Sequence, residues 1–321
     1  MTIRRGFLHW GVFLVCLGLV PLAVQLGLLD NAAVAELIRF WPLILIGIGL
    51  GLLLRFTPYA LVGGVIVAMT SGLLVGGLLS GGATTGGAVA CRGGAVGPTI
   101  NRSGSITTPT AALNAEITCA EFELDRASGQ AWTVDVATGG ADPTIAASGS
   151  SLNLISRQGL GPFSGSREIW HVSMPTEATL EGSMTFNAAR AELRLGGGAV
   201  GRLNATFNGV DGLLDLADAS GSPSLDGTLN ATSLDLVTPP VSFRGDLTLN
   251  ASSLNVCTLP GTALRIDYEQ TLGSNNFAAA GLVQNGDLWL SPGYESAATQ
   301  VDLEIGSNVS TMTLNPEGGC Q

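Results

Sequence analysis

The stretch Leu229-Asn-Ala-Thr-Ser-Leu-Asp-Leu236 contains the pattern that decides the fold of the distal part of the chain. An apolar residue, Asn and Ala are followed by a few variable positions, and then by two apolar residues with one residue between them. The later asparagines of this pattern stand 17, 26 and 20 residues apart, so the period is irregular and near twenty. Internal repetition of this length predicts a series of stacked units. Further copies begin at Phe186, Leu203 and Leu249, and an earlier one begins at Leu113.

Hydrophobic alternation with a period of two surrounds these copies. Trp132-Thr-Val-Asp-Val136 and Leu152-Asn-Leu-Ile155 are typical segments, and Gly, Asn or Pro separates them from their neighbours. Such segments predict short β-strands. No convincing amphipathic helix occurs after residue 80, so we expect the distal region to be all-β.

The repeat favours an all-β solenoid (β-helix) in which coils of about twenty residues stack at ~4.8 Å. An Asn at a turn tolerates left-handed geometry and can form side-chain ladders with its equivalents. A β-sandwich is the alternative fold, since it also contains many short strands. The asparagines that we expect at these turns are Asn114, Asn187, Asn204, Asn230 and Asn250.

The first 80 residues are strongly apolar and predict a helical transmembrane hairpin plus a third helix. Arg4, Arg5 and Arg55 fall on one side of these spans, which places that side in the cytoplasm. We therefore expect a multi-pass protein of the bacterial cytoplasmic membrane with an extracytoplasmic C-terminal domain. The predicted helices cover about residues 7–29, 40–54 and 59–79.

Composition divides the chain into four predicted parts. The stretch after residue 80 is rich in Gly, Ser and Thr and has few large apolar residues, which is typical of a linker. The predicted parts are the transmembrane region 1–80, the linker 81–110, the β-domain 111–316 and the tail 317–321.

Five cysteines are present, and four of them follow the apolar block. No pair has the two-residue spacing of a zinc or redox motif. In an oxidising compartment, Cys91, Cys119, Cys257 and Cys320 would fit two disulfides. Three connectivities are open; Cys91–Cys119 and Cys257–Cys320, the neighbours in sequence, are preferred.

The charge is strongly acidic. All 14 basic residues are arginine, against 25 Asp plus Glu, and the net charge is −11. Nucleic acid and anionic lipid surfaces need clustered cations on the protein. The charge balance therefore argues against both as partners of the distal domain.

Few residues suggest chemistry. Gly196 to Gly201 matches G-x-G-x-x-G, but the helix that a dinucleotide site needs does not follow, so a structural turn is favoured. His171 lies in a strand with no evident partner for catalysis. Asp211, Asp215 and Asp218 lack the Gly and Glu of a calcium loop. We expect no catalytic, cofactor or metal site.

The membrane segment Phe40-Trp-Pro-Leu-Ile-Leu-Ile-Gly47, which continues to Leu52-Leu-Leu-Arg55, resembles the membrane region of LiaF/LiaI-type bacterial envelope-stress proteins. This resemblance covers about residues 6–80. The distal region, about residues 96–316, is loosely similar to the adhesin-like or LiaF-type domains that follow such segments. The resemblance implies a sensor or modulator that acts on a partner histidine kinase.

Two functions follow from these observations. The first is a non-enzymatic cell-envelope protein that senses or modulates envelope stress or scaffolds partners, without a cofactor. Its expected partners are the lipid bilayer and a membrane sensor kinase or envelope component. The alternative is a membrane-anchored adhesin or carbohydrate-binding protein, for which Trp132, Trp170 and Trp289 are candidate exposed aromatics. A carbohydrate-active enzyme is least favoured, because no spacing identifies a pair of carboxylates.

Overall fold

The computed structural model describes residues 10–16, 18, 49, 63–72, 97–139, 141–157 and 167–320. The chain divides into two compact units, Met1–Thr85 and Gly86–Gln321. In the first unit, residues 10–16 and 63–72 are helical.

The predicted membrane topology is corrected by this unit. Among the residues that the structure describes, no helix is long and apolar enough to cross a membrane. The prediction of a transmembrane hairpin plus a third helix, and of a multi-pass protein of the cytoplasmic membrane, is therefore wrong on the described residues. Most of the predicted spans 7–29, 40–54 and 59–79, and the predicted linker up to residue 96, lie outside them.

The second unit consists of two large β-sheets whose strands interleave along the sequence. Over the described residues, one sheet has ten strands and the other has eleven. In spatial order, the ten-stranded sheet contains β1 (Thr99–Ser105), β4 (Ala131–Ala137), β7 (Glu168–Pro175), β3 (Ala120–Ala127), β9 (Arg190–Arg194), β11 (Asp211–Asp215), β13 (Ser233–Val237), β15 (Ser253–Cys257), β21 (Ser310–Leu314) and β17 (Gly273–Asn275). The eleven-stranded sheet contains β18 (Val283–Asn285), β19 (Leu288–Leu290), β16 (Thr262–Gln270), β20 (Thr299–Asn308), β14 (Phe243–Asn250), β12 (Ser220–Asn230), β10 (Ala199–Asn208), β8 (Thr179–Asn187), β2 (Thr110–Thr118), β6 (Ser151–Ile155) and β5 (Thr144–Ser148). A 3-10 turn, Tyr294–Ser296, precedes β20.

Alternation within each strand places apolar side chains in a core shared by both sheets. Strand β14, for example, buries Phe243, Gly245, Leu247 and Leu249 and exposes the alternating residues Arg244, Asp246 and Thr248. Aromatic rings occupy the centre of this core, and Phe186 stacks on Phe207 with ring centroids 5.5 Å apart. Burial of this kind is the main favourable contribution to folding, about 25 cal/mol per Å² of apolar surface.

The predicted solenoid is wrong, because the strands form two mixed sheets in a sandwich-like arrangement. A solenoid of equal coils needs every strand to pair in parallel with its equivalent in the next coil. Here β1, β4 and β7 pair antiparallel in one sheet, and β5–β6 and β16–β19–β18 do so in the other. Spatial order also departs from chain order, since β20 lies between β16 and β14. The β-sandwich alternative describes this architecture better.

A ladder of asparagine amides runs across the parallel strands of the eleven-stranded sheet. Each amide nitrogen donates to the amide oxygen of the Asn on the preceding strand of the ladder, with N···O distances of 2.8–3.1 Å. Asn187 Nδ2 extends the ladder to Thr118 Oγ1 at 3.4 Å, and Thr271 Oγ1 donates to the other end at 3.2 Å. The ladder fixes the register of these strands. Its asparagines are Asn187, Asn208, Asn230, Asn250 and Asn308.

A residue with positive φ follows each Asn of the ladder and turns the chain toward the other sheet. Ala188, Ala231 and Ala251 have φ of 49–50°, and Gly209 has φ of 62°. The backbone N–H of each donates to the carbonyl of the Asn on the neighbouring strand, as in Ala231 to Asn250 at 2.9 Å. Left-handed conformations disfavour residues with a Cβ. The small Ala after three of the asparagines is therefore the residue with a side chain that meets the least obstruction at this corner. After Asn308, Val309 takes the same conformation, with φ of 53°.

We predict that Asn230→Ala lowers the free energy of unfolding by about 1–2 kcal/mol, because it leaves the Asn208 and Asn250 amides without one ladder partner each. Asn204→Ala is the matched control, because Asn204 is exposed in the middle of β10 and outside the ladder. Its effect should stay within about 0.5 kcal/mol. Urea unfolding of both variants checks this expectation; equal losses would contradict the structural role of the ladder.

Candidate binding face

Four threonines form a straight row on the outer face of the eleven-stranded sheet. Thr185, Thr206, Thr228 and Thr248 are paired in register on β8, β10, β12 and β14. Each lies between two inward-facing residues of its strand, so its side chain points outward. Neighbouring strands of a sheet lie about 4.8 Å apart, which sets the spacing of the row.

The hydroxyls of this row are available for a ligand. Thr248 is exposed and the other three are half-buried. Within the described part of the chain, none of the four hydroxyls forms a hydrogen bond with another protein group. A hydroxyl offers one donor and two acceptor sites. The row therefore presents the same unsatisfied group at regular intervals.

The asparagine ladder lies two residues further along each strand and forms a second, parallel row. The two rows are separated by about 6.6 Å, the rise of two residues in a parallel strand. A primary amide has two N–H donors and an oxygen with two lone pairs. The ladder uses one N–H and one lone pair, so each amide keeps one of each. We call the outer surface formed by the four threonines and the five ladder asparagines the Thr–Asn face.

A row of carboxylates borders the Thr–Asn face on the other side of the threonines. Asp226, Asp246, Glu304 and Asp267 are paired in register on β12, β14, β20 and β16. Like charges opposite each other in a sheet are destabilising and create a local negative potential. Arg244 lies 3.8 Å from Glu304, but both are exposed and the pair contributes little. Even with Arg244 counted, the four carboxylates leave this row with a net negative charge.

A second polar cluster lies on the outer face of the ten-stranded sheet. One carboxylate oxygen of Glu123 on β3 accepts a hydrogen bond from Arg194 on β9 at 2.6 Å, and the other oxygen lies 2.8 Å from His171 Nδ1 on β7. Arg194 also contacts Glu192 and approaches Asp125 to 3.7 Å. Every charge in the cluster has an opposite charge beside it, which is typical of a solvated cross-strand network.

Two pKa values in this cluster are shifted. The hydrogen bond from Arg194 lowers the pKa of Glu123 below its ordinary value; burial opposes this shift, and the hydrogen bond with His171 adds to it. The hydrogen bond to Glu123 in turn raises the pKa of Arg194. Both groups are held in their charged forms. A catalytic acid or base needs a pKa near the working pH, and these shifts move away from it.

The asparagines that the repeat singled out separate into two groups. Asn187, Asn230 and Asn250 belong to the ladder, whereas Asn114 and Asn204 lie in the middle of β2 and β10. Asn114 Nδ2 donates instead to Asn153 Oδ1 at 3.0 Å. Thr118 and Asn208 occupy the ladder positions of these two strands.

The cysteines and tryptophans are placed as follows. Cys257 and Cys320 form a disulfide. Cys119 is also disulfide-bonded, and Cys91 lies outside the described residues. The candidate aromatics for sugar stacking do not share an exposed face, because Trp132 and Trp170 are buried and Trp289 is partly buried against the core.

The glycine motif and the three aspartates that the sequence suggested as candidate sites lie in turns and strands. Gly196 to Gly198 form the turn from β9 into β10, and Gly201 lies within β10. Among Asp211, Asp215 and Asp218, Asp215 accepts a hydrogen bond from the Ala217 backbone at 2.9 Å. No group of three or more His, Cys, Asp or Glu in the described ranges is arranged to hold a metal ion.

Sequence reasoning missed the threonine row, although the sequence carries a signal for it. The triplet Thr–apolar–Asn recurs at 185–187, 206–208, 228–230 and 248–250. In a strand, residues i and i+2 face the same side, so this triplet places Thr and Asn together on the surface. The Asn-Ala pattern shares three of these asparagines but takes Asn204 in place of Asn208.

Comparison with known proteins gives only remote likenesses. No family model matches the chain, and no curated protein matches it. The LiaF/LiaI-type resemblance thus has no support from a family match. A structure from Clostridium sporogenes, named a "putative cell adhesion protein", has a TM-score of 0.45 and 10% identity and covers 68% of this chain and 99% of its own.

Two further solved structures are each named a "putative adhesin". The one from Bacteroides fragilis has a TM-score of 0.26 and 9% identity and covers 69% of this chain and 99% of its own. The one from Parabacteroides merdae has a TM-score of 0.22 and 11% identity and covers 70% of this chain and 99% of its own. The structural neighbours of the chain are thus proteins described as adhesins, at a similarity too low to support an argument about function.

We predict that Glu123→Gln lowers the free energy of unfolding by up to about 1 kcal/mol near neutral pH, because the exposed ion pair with Arg194 is lost and the hydrogen bond with His171 is weakened. A carboxylate with a lowered pKa contributes stability above its ordinary value of 4.5, and this contribution is lost as the pH falls through the folded-state value. The difference between variant and wild type should therefore shrink below pH 4.5. Chemical unfolding across this range checks it.

Glu317→Gln provides the control, because Glu317 is exposed and has no ion pair within the described part of the chain. Its effect should stay within about 0.5 kcal/mol at every pH. A Glu123→Gln penalty that is independent of pH would show that the charge of Glu123 is not what stabilises the cluster.

Proposed function

We propose that this chain is an adhesin-like binding protein without catalytic activity, and that it attaches to its target through the Thr–Asn face. The observation that carries the proposal is the register of the threonine and asparagine rows on neighbouring parallel strands. A strand surface held by an amide ladder is rigid, and binding to it requires little ordering of the protein. Preorganisation of this kind favours affinity.

The charges and pKa values of the described residues support a binding role over an enzymatic one. The clearest cluster of titratable groups is the network around Glu123, in which the pKa shifts keep acid and base charged. Reacting groups need a concave site that excludes water and positions them together. The Thr–Asn face is an open sheet surface that offers hydrogen bonds to a large partner.

The envelope-stress function remains a prediction from the sequence. No described feature tests a sensor kinase, an envelope component or a lipid bilayer as partner. No observation on the second unit favours signalling over attachment. The Thr–Asn face, by contrast, is a specific surface with a specific chemistry, and adhesion is the function that it supports best.

We predict that replacing Thr185, Thr206, Thr228 and Thr248 together by Val weakens attachment at least about tenfold. Valine keeps the β-branched shape and the strand propensity of Thr and removes only the hydroxyl. Each lost hydrogen bond contributes about 0.5–1.5 kcal/mol, and about 1.4 kcal/mol corresponds to a factor of ten. Retention of the purified full chain on bacterial sacculi, mucin and hydrated cellulose films, followed by surface plasmon resonance, checks this.

The control variant carries Thr133→Val, Thr311→Val and Thr313→Val on the outer face of the ten-stranded sheet. It should be retained like the wild type. Far-UV circular dichroism verifies that both variants fold. If the wild type is retained on none of the three films, or if the fourfold variant is retained equally well, attachment through the Thr–Asn face is excluded.

A further inference from the structure

We infer that the Thr–Asn face takes an extended, uncharged polysaccharide whose chain runs across the strands, along the rows of threonine and asparagine. This inference rests on the proposed function and adds the chemical class and the direction of the ligand. It follows from the periodicity, the hydrogen-bonding groups and the charge of the face.

The periodicity of the face calls for a repeating ligand. The Asn ladder spans five parallel strands, and four intervals of about 4.8 Å give a row of about 19 Å. Along this row the same group recurs at each strand. A folded protein partner has no such period and relies on a few buried anchors in pockets. A linear polymer can repeat one contact at every strand.

The direction of the ligand follows from the difference between the rows. Across the strands, each row keeps one chemistry, hydroxyl or amide. Along a strand, the chemistry changes from amide at Asn230 to hydroxyl at Thr228 and to carboxylate at Asp226. A polymer of identical units can repeat the same contact across the strands. It cannot do so along a strand, where the chemistry of the side chains changes. Its axis therefore lies perpendicular to the strands.

The groups of the face match a polyhydroxylated chain. Each Thr hydroxyl and each remaining amide group can both donate and accept, as a sugar hydroxyl can. No large apolar side chain lies on the outer face of β8, β10, β12, β14 or β20. Apolar lipids and hydrophobic peptides therefore find no complementary surface. Sugar hydroxyls do.

The charge of the border selects against anionic polymers. Asp226 and Asp246 have no ion-pair partner among the described residues, and they lie one row away from the threonines. A carboxylate or sulfate on the ligand would approach these charges across a solvent-exposed surface. Uronate polymers and nucleic acid are disfavoured by this repulsion. An uncharged chain does not experience it.

The absence of an aromatic platform has a consequence for affinity. No aromatic side chain lies on the outer face of β8, β10, β12, β14 or β20, so hydrogen bonds rather than ring stacking hold the ligand. Each solvent-exposed contact is weak, and affinity accumulates as further units of one chain engage further strands. A disaccharide reaches only part of the row. Binding should therefore strengthen with ligand length until the row is filled.

Gly306 offers a gain-of-function test at the end of the threonine row. It is paired in register with Thr248, is exposed, and has open space where a Cβ would be placed. Gly306→Thr would extend the row to a fifth hydroxyl. Gly306→Val fills the same space without a hydroxyl and is the matched control. Both side chains suit a strand, so a difference between them reports the hydroxyl alone.

The test titrates the full chain with cello-oligosaccharides from the disaccharide to the hexasaccharide by isothermal calorimetry. We expect affinity to rise at least about tenfold over this series, and Gly306→Thr to tighten hexasaccharide binding about two- to tenfold while Gly306→Val does not. Polygalacturonate should not bind the wild type, and it should bind after Asp226→Arg with Asp246→Arg.

Three results would overturn the inference: no binding of the hexasaccharide, a disaccharide that binds as tightly as the hexasaccharide, or polygalacturonate that binds the wild type more tightly than the uncharged chain. If one of these occurs while retention on mucin or sacculi still depends on the four threonines, the polysaccharide assignment fails and the proposed function stands. If retention does not depend on the threonines, the proposed function fails with it.

Discussion

The asparagine ladder is the interaction on which the parallel part of the fold depends. Side chains in a strand alternate between two faces, so a slip of one residue would move every core residue to the surface. Asn230 at the end of its strand donates to Asn208 and accepts from Asn250, both within 2.9 Å. A slip would break these bonds and the backbone bonds at the adjoining corner. The ladder and the hydrophobic core thus specify the same register.

The sequence predicts the strands and their faces, because alternation is a local property. It also predicts an asparagine ladder, yet its register is wrong at two strands. On β2, Thr118 takes the ladder position expected for Asn114. On β10, Leu203-Asn204-Ala205 matches the repeat by composition, whereas Asn208 enters the ladder. Gly209 explains the difference, because its positive φ makes the corner there. The corner residue is the one whose backbone has a positive φ. The sequence pattern alone allows either Ala205 or Gly209 to be that residue.

The order of strands and the apolar N-terminal region show where sequence reasoning stops. Strand β20 lies between β14 and β16 although more than 40 residues separate it from β14. Nothing local encodes this placement, because it depends on which exposed edge the returning chain meets. Apolar composition, likewise, favoured three membrane spans. Within the described ranges, no helix is long and apolar enough to cross a membrane.

The ladder links stability to the candidate site, and the two rows of the face differ in this respect. The asparagines hold the strands in register and also present their remaining amide groups outward, so a substitution there changes both properties. The threonines have no hydrogen-bond partner within the described residues, and removing their hydroxyls leaves the core and ladder contacts in place. Fold stability therefore does not require four hydroxyls in one row. A repeated group that the fold does not need is the feature most directly explained by a repeated ligand.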